Sequence, residues 1–274
     1  SDTGYGHQKR WFQGASGLLN YLVRRLLLLV PVFLAVSMVI FMIIHMVPGD
    51  PVDNMIQIGS SPEQRAQLVA KYGLDKPLLI QYGVWFQNML QGDLGDAIIL
   101  RRPVAELILE NLPHSLLLGC LAFVFSAVVG VATGATAAVF KDSWIDRGVM
   151  AFILLGSTLP SFWLGLLLIL VFAVQLEWFP VSGARSWTAL VLPVLTIGLH
   201  GVALVSRVTR AAMLDVASRD FVLMLHAKGL AHWQIQLQHV LRHALLPVVT
   251  ILSLRIGWIV GGAVTVEFVF ARPG

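Results

Sequence analysis

Uncharged apolar runs of membrane-crossing length alternate with polar stretches along the 274-residue chain. The first run covers residues 26–47, about 22 residues or roughly 33 Å as a helix. Arg24 and Arg25 stand at its start, and Pro31 is tolerable inside a membrane helix. His45 is its only strongly polar side chain and is read as making an interfacial or interhelical hydrogen bond. A second span is predicted over 115–140, with small residues every fourth position (Ser126, Gly130, Gly134) that let another helix approach closely. A third covers 149–174, with Pro160 inside it and Trp178 just past its end at the interface. The fourth, 189–206, is shorter and holds Pro193, Gly198, His200 and Gly201. The fifth, 246–270, carries Gly257 and Gly261 as a second close-packing element and two charges, Arg255 and Glu267.

Between the first two spans lies a polar region, 48–113, that opens with the turn formers Pro48-Gly49-Asp50-Pro51. Short helices are predicted over 61–71 and 78–90. The region holds eight acids (Asp50, Asp53, Glu63, Asp75, Asp93, Asp96, Glu106, Glu110) against five bases (Arg65, Lys71, Lys76, Arg101, Arg102). Those carboxylates match no metal-ligand spacing and read as a solvated face.

Composition agrees with an all-α polytopic membrane protein: 57% of residues are hydrophobic and 12% charged. A single cysteine, Cys120, excludes a disulfide framework. The net charge of +4 reads as membrane topology rather than nucleic-acid affinity, because the bases cluster beside apolar runs. Residues 1–20 read as a flexible cytoplasmic tail, with no cleavable signal peptide evident. Lys9, Arg10, Arg24, Arg25, Lys141, Arg147 and the bases of the loop 207–247 (Arg207, Arg210, Arg219, Lys228, Arg242) all fall on one side. The loop after Gln175 has a single base, Arg185, and belongs to the other side. The amino terminus and the loop 207–247 are therefore expected in the cytoplasm, and the region 48–113 outside. Five spans leave the carboxyl end outside, and the turn-like Ala271-Arg272-Pro273-Gly274 leads us to expect a sixth span beyond it.

Catalysis finds no support. No G-x-x-x-x-G-K-[ST] cradle for a nucleotide phosphate occurs, and no nucleophile–base arrangement stands out. His239 and His243 are four apart but lie beside Arg242 in a basic loop, which favours solvent or headgroup contact over a metal. The most informative stretch is 221–247. It opens with Phe221-Val222-Leu223-Met224-Leu225, an apolar run that a wet loop should not expose unless a partner covers it. About two turns of helix are predicted up to Lys228. Gly229 ends them in the left-handed conformation, and a second helix from Ala231 rises to Pro247. Such a lever at the membrane surface would tilt the spans at both its ends.

Here the chain resembles a known family. Ala227-Lys228-Gly229-Leu230, followed by His239, Leu241-Arg242, Ala244-Leu245 and Leu246-Pro247, is similar to the cytoplasmic coupling loop of binding-protein-dependent ABC importer permeases. Val47-Pro48-Gly49-Asp50-Pro51, Tyr72-Gly73-Leu74-Asp75-Lys76-Pro77, Gly92-Asp93-Leu94-Gly95, Pro160-Ser161-Phe162-Trp163-Leu164, Trp178-Phe179-Pro180 and Arg210-Ala211-Ala212-Met213-Leu214 resemble the dipeptide/oligopeptide/nickel branch, in order from Tyr21 onward. The resemblance implies a type I ABC importer transmembrane domain, with its core over 114–274. It implies a sister permease, two ATP-binding subunits that carry ATP and Mg, and an extracytoplasmic solute-binding protein, with no cofactor on this chain. It further implies an inner-membrane location, and docking of Phe221, Leu223, Leu225, His226, Ala227, Lys228, Gly229 and Leu230 against an ATPase. Family members often carry Arg where this chain has Leu223 and His226, so a more apolar contact is expected. The imported solute is expected to be a short peptide, with nickel or a metal–chelator complex as the alternative. A secondary transporter is a further reading, for which only Glu267, His45 and His200 would supply relay groups.

Charges inside a span are costly and usually face a cavity or a partner helix. Arg255 is expected to meet either a substrate carboxylate or the sister permease, with Glu267 also on the pathway. The two lie twelve residues apart, about 18 Å along one helix, too far to pair with each other.

Overall fold

The computed structural model describes residues 6–46, 73–97, 100, 102–183 and 186–272, with Glu63, Ala66 and Val69 between the first two segments. The chain divides into two compact units, 1–107 and 108–274.

In the first unit, α1 (Gly6–Met46) contains Val23–Met46, a stretch long and apolar enough to cross a membrane. Residues 6–20, expected as a flexible tail, are helical. No proline precedes Pro31, and a helix nucleated in the apolar run extends by gaining one hydrogen bond per residue ordered. Helix α2 (Leu78–Leu90) starts directly after Pro77 and matches the expected short helix. It packs on α1 through aromatic side chains, with the Tyr82 and Phe41 rings edge-on at 5.5 Å. The Tyr82 hydroxyl lies 2.9 Å from Ser37 Oγ. His45 Nε2 lies 3.3 Å from Gln81 Oε1, so its role is the interhelical hydrogen bond expected of it. A small antiparallel hairpin follows, β1 (Asp96–Ala97) against β2 (Arg102–Pro103). The turn cluster at 47–51 and most of the helix expected over 61–71 lie outside the described residues.

Helix α3 (Val104–Val139) begins well before the expected second span and runs through Pro113. The third span is not one helix. It is α4 (Trp144–Thr158) and α5 (Ser161–Leu168), the latter prolonged by a π-helical turn Ile169–Gln175, with a 107° bend between the two halves. Pro160 holds φ −56° and has no N–H to donate, and it drives Leu159 before it into an extended conformation at φ −76°, ψ 137°. Helix α6 (Thr188–Ala217) outruns the expected fourth span by eleven residues, so Arg207 and Arg210 sit on helix rather than in a loop. Between Ser206 and Ala217 there is no Gly or Pro, and Thr209, Met213 and Val216 continue the buried face.

Helix α7 (Asp220–Ala227) follows after two residues. A helical turn His232–Gln234 and a π-helical turn Ile235–Val240 then lead into α8 (Leu241–Gly262), with Pro247 inside the helix rather than at its start. The expected fifth span over 246–270 ends instead at Gly262, and α9 (Val264–Val269) is a separate helix. Among the described residues, four helices could cross a membrane by length and composition, or five if α4 and α5 form one broken span.

In the second unit α6 is the axis of the core. Its first half packs in a cluster with Leu118, Ala173, Val266 and Phe270. Val202 and Ala203 meet Ile153 of α4 at its middle. At its far end Met213 and Val216 share a cluster with Val222, Ile235, Val240 and Ala244. Contact with α3 depends on the small-residue stripe. A Cβ on Gly130 would stand 2.6 Å from Val205 Cβ, and one on Gly134 would strike the Ser206 carbonyl. Ser126 Oγ donates to Ala122 O on its own helix and to Gly198 O across the interface, at 2.7 and 2.9 Å. The expected close approach is therefore real, and α6 makes it.

Candidate coupling and pathway residues

Two faces of α7 have different fates. Val222 is only 3% exposed and lies in the cluster with Met213 and Ile235; Phe221, Leu225 and Leu230 are half-buried against it. Leu223 and Met224 are 73% and 50% exposed. His226, Ala227, Lys228 and Gly229 are exposed as well. The stretch that opens with the apolar run 221–225 is thus an anchored helix with an outward apolar ridge. His226 Nδ1 lies 2.9 Å from Val222 O, so this side chain is turned back onto its own helix. Gly229 adopts φ +78°, with open space where a Cβ would be. Its N–H donates to His226 O and the Leu230 N–H to Leu225 O, which closes the helix as the sequence predicts.

The junction from α6 to α7 is pinned. Ser218 Oγ donates to Asp215 O at 2.7 Å, and an Arg219–Asp215 ion pair closes at 2.8 Å. Behind it, a groove of about 470 Å³ is lined by Ala211, Asp215, Arg219, His243 and Pro247, among others. His243 stands edge-on to the Phe221 ring at 5.4 Å and so supports α7.

Sequence reasoning missed one ion pair in this region. Arg210 of α6 holds Asp146 of α4 through two hydrogen bonds, Nε to Oδ1 at 2.8 Å and Nη2 to Oδ2 at 2.6 Å, and Asp146 is buried. The Asp142 N–H donates to the same carboxylate, and Ser143 caps α4 by accepting from the Asp146 N–H. Both residues were visible in the sequence as charges beside apolar runs, but 64 positions separate them and no spacing rule pairs them.

Arg255 is half-buried on α8, and Nη1 approaches Gly201, where a Cβ would come within 2.7 Å of it. With Gly119, Ala122, Ser126 and Leu252 it lines a cavity of about 20 Å³. Glu267 is not on the same helix as Arg255, because the break at Ala263 intervenes. Glu267 is 6% exposed, and its Oε1 has no hydrogen-bond partner among the described residues. Arg272 feels its charge, and Arg272 Nη1 donates to Gly183 O and Ala189 O at 3.1 and 3.4 Å. Burial pushes the Arg272 guanidinium down from its ordinary value, and the charge of Glu267 pushes it back up.

Comparison with known proteins accords with this geometry. Residues 130–274 match the binding-protein-dependent transport system inner membrane component, and residues 18–118 match the N-terminal part of such membrane components. The glutathione transport system permease protein GsiC of Escherichia coli O6:H1 (strain CFT073) is 41% identical over 261 residues, covering 94% of this chain and 84% of the relative. The proteins of the same description from Escherichia coli K12 and Shigella dysenteriae serotype 1 are 40% identical over the same shares. A component of this kind is a multi-pass inner-membrane permease rather than an enzyme, and it works with a solute-binding protein, a partner permease and separate ATPases. The chain belongs to the family of binding-protein-dependent ABC importer permeases, in its peptide and nickel branch.

Proposed function

We propose that this chain forms half of the pathway of an importer for short peptides of the glutathione type, and couples that pathway to a separate ATPase through α7. The observation that carries the coupling role is the division of α7: Val222 anchors it in the core while Leu223 and Met224 stand exposed on its outer side. An apolar ridge of that kind on a basic cytoplasmic loop is the kind of surface that marks a protein–protein contact. The substrate class rests on the relatives named for glutathione transport. Cytoplasmic placement of the amino terminus and of α7 rests on the basic residues gathered on that side.

In the reconstituted importer, with its sister permease, two ATPases and binding protein, radiolabelled glutathione is expected to accumulate on ATP addition. Gly229→Leu forces a side chain into φ +78° and reorients the end of α7. It should leave insertion intact but reduce uptake per ATP hydrolysed by about 5- to 30-fold, for a strain of roughly 1–2 kcal/mol. Normal uptake in that variant would sink the lever.

Arg255 is proposed to face the pathway and meet a carboxylate of the substrate, with Glu267 and Arg272 behind it at the outer end. The Arg255→Gln variant is expected to raise the KM for glutathione without weakening co-purification of the sister permease. The reverse pattern would make Arg255 an assembly residue.

A further inference from the structure

Helix α4 is held to α6 at both of its ends, and this grip is independent of the α7 ridge. At the first turn of α4, Asp146 takes two hydrogen bonds from Arg210. Just past Thr158 the residue before Pro160 is forced extended, so the helix stops and the Leu159 carbonyl has no intrahelical donor. That orphan oxygen accepts from His200 Nε2 of α6 at 2.8 Å. Between the two grips, Ile153 packs against Val202 and Ala203. The grips lie about 15 Å apart along α6, from residue 200 to residue 210. The same α6 runs unbroken to Ala217 and enters α7 through the pinned turn at Ser218 and Arg219.

We infer that Asp146, Arg210 and His200 are positioning residues for transport, clamping α4 and α6 into one rod that carries a push on α7 to the bend at Leu159–Pro160. A bidentate ion pair with its carboxylate buried resists sliding, because displacement strands a charge away from water. His200 does the same at the bend, since moving it leaves a carbonyl without a donor. With both ends held, α4 cannot slip along α6. Motion is left to the one place in this pair of half-helices where the backbone ladder is already interrupted. This inference rests on the coupling role proposed for α7.

The test uses the complete importer in lipid, with Cys120→Ser and a nitroxide label on Thr158→Cys, an exposed residue beside the bend. In this otherwise unaltered protein the spectrum should change when ATP and vanadate trap the ATPases closed. In Asp146→Asn, Arg210→Gln and His200→Leu the change should fall about tenfold, the effect of losing one or two hydrogen bonds from the clamped state. ATPase subunits should still co-purify with all three. His200→Gln, which can place an amide N–H near the Nε2 position, should restore most of the response. An undiminished response in Asp146→Asn and His200→Leu overturns the clamp. Should Asp146→Asn fail to insert, the pair of His200 variants decides: equal responses in His200→Leu and His200→Gln also overturn it. If the labelled parent itself shows no change while Leu223→Asp leaves ATPase binding intact, the coupling role of α7 fails, and the clamp fails with it.

Discussion

The chain carries two small-residue stripes written alike, and only one of them is occupied. On α3, Ser126, Gly130 and Gly134 are buried beneath α6, so close that added methyl groups would strike Val205 and the Ser206 backbone. On α8, Gly257 and Gly261 are exposed, and a Cβ at either would meet nothing within 4 Å. A stripe of small residues states that a helix can come close; it does not say which helix, or whether it belongs to the same chain. The filled stripe also carries a polar stitch, Ser126 Oγ to Gly198 O, that the open one lacks among the described residues. In lipid, where no hydrophobic force joins helices, such packing and hydrogen bonding hold the pair together.

Substitutions should separate the two stripes by size of effect. The largest is expected for Gly134→Leu, where the new side chain meets the Ser206 carbonyl and Thr209 with no room to relax. Overpacking against backbone costs about 3 kcal/mol or more, so size-exclusion of the fluorescently tagged protein should show little folded material. A monodisperse, thermally unchanged peak would mean that α3 and α6 are not in contact as described. The smallest effect is expected for Gly257→Ala, which should alter the melting midpoint of the chain alone by an amount equivalent to no more than about 1 kcal/mol, and upward through helix propensity. If Gly257→Ala nonetheless lowers recovery of the sister permease, the open stripe is filled in the assembly. Unchanged recovery would leave it facing lipid or the pathway.

Much of the architecture could be read without coordinates, because a membrane-spanning helix must satisfy its backbone internally and so needs a long uncharged run. The run 26–47 and the helix 78–90 were legible for that reason and for the proline before the latter. Helix ends were less legible. Expecting α6 to stop at Ser206 equates the first arginine with the end of the helix, whereas Arg210 is satisfied by Asp146 and needs no loop. The single span over 149–174 failed at Pro160. Proline is tolerated in α1, α3, α6 and α8 without a break, whereas at Pro160 the preceding Leu159 turns extended and its carbonyl accepts from His200 Nε2 in that bent geometry. Composition alone could not have told Pro160 from Pro193.

The stretch 221–230 shows the same division. Its sequence determined that the segment is helical and that Gly229 ends it. It could not determine which apolar residues are spent inside the chain. That sorting arises because α6 runs on to Ala217 and presents Met213 and Val216 to Val222, leaving Leu223 and Met224 outside. Local rules act over three or four residues and were enough to specify span, turn and cap. The ion pair Asp146–Arg210, the His200 grip on Leu159 and the outward ridge of α7 depend on residues tens of positions apart meeting at a few ångströms. Only the packed structure decides such meetings, since burial in a shared core rather than any local preference selects the partner.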